Sequence, residues 1–229
     1  MKNLFSRNKT EYDFISISHY FYPRVGGLEN IAFNLISGLQ EKGLNSIAIY
    51  GSNKRESSTI NGFQAESFPV LNIFNGTYPI FGLRFTMYIL KLLKENPNAQ
   101  VLVHSRHLTS SLITSILCII TGHQYTVLEH NAGPVYFKSE FTNKLAQWAD
   151  RNICSLVHKY ATNIVTVSKA GRKWVSKTFG IDKSSIDVIY NGYSSKEIRN
   201  SISKKENLVI WAAKWIEVKD PGTTLRAYR

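Results

Sequence analysis

Polar residues follow several short apolar runs of the sequence, and their types are suited to chemistry. Imidazole and carboxylate groups can exchange protons with a substrate or hold it by hydrogen bonds. A lone histidine is nevertheless more often structural than catalytic, so the fold must decide whether these side chains meet. They are His19, His104 to Arg106, Glu129, His130, Ser168, Asn191 and Gly192.

Two adjacent glycines, Gly26 and Gly27, precede an apolar period that is typical of a helix. Such glycines allow the backbone to approach a ligand, and the helix start directs N–H groups and a positive dipole end at an anion. An ordinary tight turn is the alternative interpretation, and it stays open. The spacing is neither GxGxxG nor a P-loop, and no HExxH or GxSxG is present, which disfavours nicotinamide binding, a zinc site and serine hydrolysis.

Strand-like and helix-like periods alternate along the chain. Leu28 to Lys42 carries a helical stripe between the strand-like runs at 13–18 and 46–50. Further strands are predicted at 63–71, 100–104, 124–128, 163–167, 186–190 and 208–213, and helices at 82–95, 108–121, 141–160, 169–179 and 220–229. Residues 51–62 are polar and are expected to form a loop. The pattern predicts an α/β fold, a doubly wound parallel sheet whose ligands bind at the carboxyl ends of the strands.

The 229 residues fit one domain and part of a second. We expect a polar tail at 1–11, a Rossmann-like domain at 12–199, a linker at 200–206 and the first βα unit of another domain at 207–229. That last unit is too small to bury a core of its own.

The charge of +12 suggests an anionic partner, although solubility alone explains it equally well. Lys169, Lys173 and Lys177 would share one helix face, which fits an anionic membrane surface and fits a solvated face equally well. No nucleic-acid-binding motif is present, so nucleic acid is not expected. Cys118 and Cys154 are isolated, which indicates buried thiols and a cytoplasmic location. The longest apolar run, Leu108 to Thr121, is too short to span a bilayer.

Six short motifs occur in an order that resembles glycosyltransferase family 4, retaining enzymes that use nucleotide sugars and have the GT-B fold. The motifs are PRVGGLE at 23–29, VH at 103–104, TVLEH at 126–130, ATNIVTVS at 161–168, VIYNG at 188–192 and AKWIEVKD at 213–220.

The resemblance implies an acceptor-binding first domain and a second domain that binds the nucleotide sugar, with no metal or other cofactor. It implies that His130 is catalytic, near the transferred sugar. The donor diphosphate would be bound by Gly26, Gly27, Lys214 and Lys219. The acceptor, a glycan or a lipid, would meet a cleft formed by His104, Arg106, Glu129, Ser168 and Asn191.

The sequence also departs from the family pattern. Tyr193 follows Gly192 where the family usually has an aspartate, Ala213-Lys214 replaces a Gly-Arg pair, and the downstream acidic signature for the donor has no counterpart. We therefore expect an acceptor half that is inactive alone and needs a donor domain, in the same protein or from a separate chain. The alternative is a noncatalytic module that binds an anionic membrane surface or a polysaccharide. Peripheral membrane association fits both interpretations.

Overall fold

The computed structural model describes residues 11–73, 78–134, 139–192, 210–213, 215 and 220–228. The chain divides into two units, Met1–Asn191 and Gly192–Arg229. The first unit contains the sheet and the residues expected to form the site.

Within these residues the first unit forms one nine-stranded sheet in the order β3-β4-β2-β1-β6-β7-β8-β9, with β5 paired to β4 outside this path. The strands are β1 Phe14–Ile17, β2 Ser46–Ser52, β3 Glu56–Ile60, β4 Phe63–Ile73, β5 Tyr78–Phe81, β6 Gln100–His104, β7 Tyr125–Glu129, β8 Asn163–Thr166 and β9 Ile186–Val188. All neighbours from β4 to β9 along that order pair in parallel. The predicted α/β, Rossmann-like class is confirmed.

Two strands, β3 and β5, pair antiparallel to β4. The expectation of a loop at 51–62 was therefore wrong for β3, which is polar and mostly exposed because it lies at the sheet edge. Asn61 and Gly62 join β3 to β4 with positive φ angles of 47° and 86°. Asn-Gly with this geometry is the usual signal of a tight hairpin, and it was available in the sequence.

The helices are α1 Gly27–Glu41, α2 Leu83–Glu95, α3 Thr109–Thr121, α4 Glu140–Ala149, α5 Ser155–Lys159, α6 Lys169–Phe179 and α7 Pro221–Ala227. The predicted single helix at 141–160 is a composite, because the π-helical turn Asp150–Cys154 separates α4 from α5. Gly122 and Gly180 end α3 and α6 in the left-handed conformation, which glycine adopts without steric cost.

The core lies on both faces of the sheet. The larger cluster packs α2, α3 and α6 against the central strands, and the smaller packs α1 against β2 and β4. Cys118 is buried and Cys154 half-buried, both as free thiols. Among the described residues no helix is long and apolar enough to cross a membrane.

The second unit contains α7, whose start is capped by Asp220 accepting a hydrogen bond from the Thr223 amide. The expected helix at 220–229 is thus present. Residues 210–213 are the described part of the strand expected at 208–213, and they form no strand. The expected linker at 200–206 lies outside the described residues, as do Lys214 and Lys219.

Candidate functional site

Neighbouring strands bring distant polar residues to one edge of the sheet. β1, β6, β7 and β8 lie side by side in parallel, so their carboxyl ends share that edge. His19 follows β1, His104 and His107 lie at the end of β6, and His130 follows β7. Parallel strands deliver their following loops to one side, and this arrangement brings His104 and His130 into contact.

His104 and His130 are directly hydrogen-bonded. The distance from His104 Nδ1 to His130 Nε2 is 3.0 Å, and the rings are nearly coplanar, at 11°. On the other side of the His104 ring, Nε2 lies 3.1 Å from Oγ of Ser16 in β1. His104 is completely buried, which corrects the expectation that its side chain lines an open cleft, whereas His130 is half-buried.

The histidines at this edge are neutral at ordinary pH. Burial lowers the pKa of His130 to about 4, although the charge of Glu129 acts in the opposite direction. Burial lowers the pKa of His19 to about 3, and His107 and Arg24 act in the same direction. Burial also lowers the pKa of His104 and of His107. Their protonated forms would repel one another in a poorly solvated place, so the uncharged form is favoured.

Three ring nitrogens in this group lack a hydrogen-bond partner among the described residues. They are buried Nδ1 atoms of His19, His107 and His130. Buried polar atoms in native proteins nearly always have a partner, from the protein, from water or from a ligand. These nitrogens are therefore candidate hydrogen-bonding atoms for water or for a polar ligand.

Arg106 and Glu129 form a buried ionic network beneath the histidines. The Arg106 guanidinium donates to Glu129 Oε2 at 2.8 Å and to Asp150 Oδ2 at 2.7 Å. The Arg106 backbone N–H donates to Glu129 Oε1 at 2.7 Å, and His158 Nε2 lies 3.1 Å from the same oxygen. Arg106 is fully buried and Glu129 is 1% exposed, which corrects the expectation that they line the cleft.

The charges in this network are paired with one another. Burial alone would raise the pKa of Glu129, but the hydrogen bond from His158 and the charge of Arg106 outweigh it and hold that pKa at about 2. The guanidinium also stacks 4.3 Å from the Trp174 ring centroid. The preceding residue, Ser105, has a φ of 62°, a left-handed conformation uncommon for serine. These contacts give Arg106 and Glu129 a structural role in fixing the loop after β6.

Sequence reasoning missed Asp150, His158 and His107. Asp150 belongs to the π turn and His158 to α5, and both lie far from Arg106 in sequence. No local motif links them. His107 follows a strand end at a distance of three residues and was passed over for its neighbour, Arg106.

The glycine turn contains a buried carboxylate. Gly26 is the N-cap residue of α1, and a Cβ added there would overlap the carboxylate of Glu29, which is 8% exposed. Glu29 thus places negative charge at the positive end of the helix. Gly27 is exposed, and a Cβ there would meet nothing within 4 Å. Of the two glycines, Gly27 is therefore the one with open space beside it.

Two further residues predicted to line the cleft, Ser168 and Asn191, follow β8 and β9. Ser168 caps α6 by accepting a hydrogen bond from the Gly171 amide at 3.0 Å, and Asn191 is exposed after β9. Among the described residues, no group of three or more His, Cys, Asp or Glu side chains could hold a metal ion. Metal independence stays a prediction.

The fold and the residues at its carboxyl edge define a class, the Rossmann-like α/β domains. The family model for Glycosyltransferase Family 4 matches residues 25–197. The chain therefore belongs to glycosyltransferase family 4, as the motif resemblance predicted.

Individual relatives agree with this assignment. The chain is 27% identical over 190 residues to the uncharacterized glycosyltransferase MJ1069 of Methanocaldococcus jannaschii, an alignment that covers 79% of this chain and 48% of the relative. The crystal structure of Anabaena Alr3699/HepE in complex with UDP matches with a TM-score of 0.52 and 11% identity, covering 79% of this chain and 44% of that one. The chain thus spans about half the length of each, and the structural likeness shows the fold.

Proposed function

We propose that this chain supplies the acceptor-side domain of a retaining glycosyltransferase that transfers a sugar from a nucleotide sugar to a glycan or lipid acceptor. The observation that carries the proposal is the family match over residues 25–197, which includes His107 and His130, two of the three histidines with an unpartnered ring nitrogen. The HepE structure, which has this fold and contains UDP, supports a uridine nucleotide as the first ligand to test.

In this proposal the donor's charged part approaches the start of α1. Departure of a nucleoside diphosphate develops negative charge, and fixed N–H dipoles or cations at that place lower the barrier. Gly27 offers open backbone there, whereas the buried Glu29 carboxylate already occupies the side of Gly26. The resemblance adds Lys214 and Lys219 as the cations, and no metal is needed.

His130 is the proposed contact to the transferred sugar. It is half-buried, neutral and has one unpartnered ring nitrogen, so it can form one hydrogen bond to an uncharged sugar oxygen. His104, which is hydrogen-bonded to it, orients the ring from below. The sugar, the base and the acceptor are open to experiment.

The test is a titration of the ¹⁵N-labelled chain with UDP and UDP-glucose, followed by two-dimensional NMR. We expect UDP to shift the Gly27 amide, and UDP-glucose to shift both that amide and the His130 ring. The His130→Ala variant should lose the response that depends on the sugar and keep the response to UDP.

A matched control uses His123, which precedes β7 and therefore lies at the opposite edge of the sheet. The His123→Ala variant should bind both ligands like the wild type. Shifts at the amino-terminal edge with none near Gly27 or His130 would contradict the proposed site. A sugar-transfer assay on the protein, with and without the His130→Ala substitution, then tests the activity.

A second candidate function, membrane binding, is favoured by α4. None of its residues is buried, and Phe141, Leu145 and Trp148, at helical spacing on one face, are 78%, 55% and 56% exposed. An amphipathic helix of this kind can insert its apolar face into a lipid surface. With the chain's charge of +12, we propose an anionic membrane as the surface.

A further inference from the structure

Ser16, His104 and His130 form one hydrogen-bonded series of three side chains. Ser16 is 3% exposed, His104 is completely buried, and the contacts along the chain are 3.1 and 3.0 Å. This hydrogen-bonded series ends at His130 Nδ1, which is buried and has no partner among the described residues. The proton of the Ser16 hydroxyl and the N–H protons of the two imidazoles can therefore be arranged in only a few ways.

A neutral imidazole carries one N–H and one lone pair, so the contacts allow two arrangements. In the first, the Ser16 hydroxyl donates to His104 Nε2, His104 Nδ1–H donates to His130 Nε2, and His130 carries its proton on Nδ1. In the second, both donations are reversed, and His130 Nδ1 carries a lone pair. The terminal nitrogen is thus a donor in one arrangement and an acceptor in the other.

The Ser16 hydroxyl decides between them. Among the described residues, the Ser16 hydroxyl is hydrogen-bonded to His104. If His104 donated to Ser16, the serine proton would have no acceptor in a buried place, which costs about 1–3 kcal/mol. In the first arrangement that proton is satisfied, and one unpartnered group remains, the N–H of His130.

We propose that Ser16 and His104 act as positioning residues that hold His130 in the Nδ1–H tautomer, so that His130 presents a hydrogen-bond donor to the bound ligand. The ligand atom facing it is an oxygen with a free lone pair, a sugar hydroxyl or a phosphate oxygen. His130 so held has its Nε2 lone pair occupied, and it does not act as a general base. Only the identity of that ligand rests on the proposed function.

The tautomer can be measured on the chain itself by long-range ¹H–¹⁵N correlation of its histidine rings, without any transfer assay. An imidazole free in water carries its proton chiefly on Nε2, so Nδ1–H on both His104 and His130 is a distinctive result. We expect that result for the wild type at pH 7.5. Protonation of His130 on Nε2 in the folded wild type would overturn the proposal.

Two variants of His104 separate positioning from packing. His104→Asn keeps an amide donor near the place of Nδ1, so His130 should remain in the Nδ1–H form. His104→Phe keeps bulk without a donor, so His130 should change to the Nε2–H form. If both variants leave the tautomer of His130 unchanged, His104 does not set it.

Ser16→Ala provides a test that does not replace either histidine. Without the hydroxyl the second arrangement leaves no unsatisfied serine proton, so a population with Nε2–H at His130 should become detectable. A spectrum identical to that of the wild type would contradict the role of Ser16. Titration with inorganic phosphate and with glucose then shows which oxygen His130 Nδ1–H meets, and failure of both ligands would overturn the proposed donor contact without affecting the tautomer result.

Discussion

Replacing Arg106 by methionine tests the interpretation that its network is structural. The variant removes a guanidinium that contacts two carboxylates at 2.8 and 2.7 Å, and it leaves Glu129 charged, buried and without its cation. Breaking a buried ion pair by removing one partner costs about 3–5 kcal/mol. We expect a loss of that size in the free energy of unfolding, since the methionine restores part of the apolar contact with Trp174 but none of the charge.

Urea unfolding followed by circular dichroism measures this loss. With a denaturant dependence of about 2 kcal/mol per M, the midpoint should fall by about 1.5–2.5 M. The double variant Arg106→Met with Glu129→Gln removes the uncompensated carboxylate as well. It should therefore recover part of the lost stability, which a mere packing defect would not do.

The matched control is the surface pair between Glu140 and Lys144, which has a similar distance, 2.7 Å, but side chains that are 83% and 78% exposed. Lys144→Met should change stability by about 0.5 kcal/mol or less, because exposed pairs at this helical spacing contribute little. An Arg106→Met midpoint shift no larger than that of Lys144→Met would refute the argument that burial makes the network essential.

Further predictions concern pH, the glycine turn and the lipid surface. The pKa of His130 is lowered from 6.5 to about 4. Between these two pH values the unfolded chain binds a proton at His130 and the folded chain does not. Stability should drop there by up to about 1.4 kcal/mol per pH unit, and His130→Asn should reduce this slope in urea titrations. Gly26→Ala should cost about 0.5–1 kcal/mol by displacing the carboxylate at the helix start, whereas Gly27→Ala should be neutral within about 0.5 kcal/mol by the same measurement. Leu145→Glu should reduce sedimentation with anionic vesicles at low salt, and the control Leu71→Glu, at a more exposed leucine, should not; equal effects would argue against insertion of α4.

The regular elements were predictable where one strong local signal decided them. β6 at 100–104 and α6 at 169–179 have the predicted bounds, since an unbroken apolar run and a helical stripe ended by Gly180 leave little choice. β3 was missed because an edge strand buries little and therefore carries no apolar alternation. The π turn after α4 was missed because its buried residue, Asp150, is polar and does not continue the apolar helical period. Its partner, Arg106, is distant in the sequence, so no local signal marks the turn.

The candidate site was predictable by position but not by the state of its side chains. Knowing that parallel strands end at one edge was enough to group His104, Glu129 and His130. Sequence position could not show that His130 stays half-buried whereas His104 and Glu129 are buried. The ionic contacts of Arg106 and Glu129 depend on Asp150 and His158, two residues that come well after β7 in the sequence.

The sheet edge therefore has two chemically different layers, and the difference limits what the site can contribute to transfer. The inner layer is ionic, and Arg106 is already neutralised by Glu129 and Asp150. The outer layer consists of the half-buried His19, His107 and His130, which burial keeps uncharged, so it offers hydrogen bonds without net positive charge. Stabilising a departing diphosphate requires a fixed dipole or a cation. In the described residues a helix start with open backbone beside it is found at Gly27. Under the proposed function, the histidines would therefore recognise the sugar by hydrogen bonds, and they would not neutralise the phosphates.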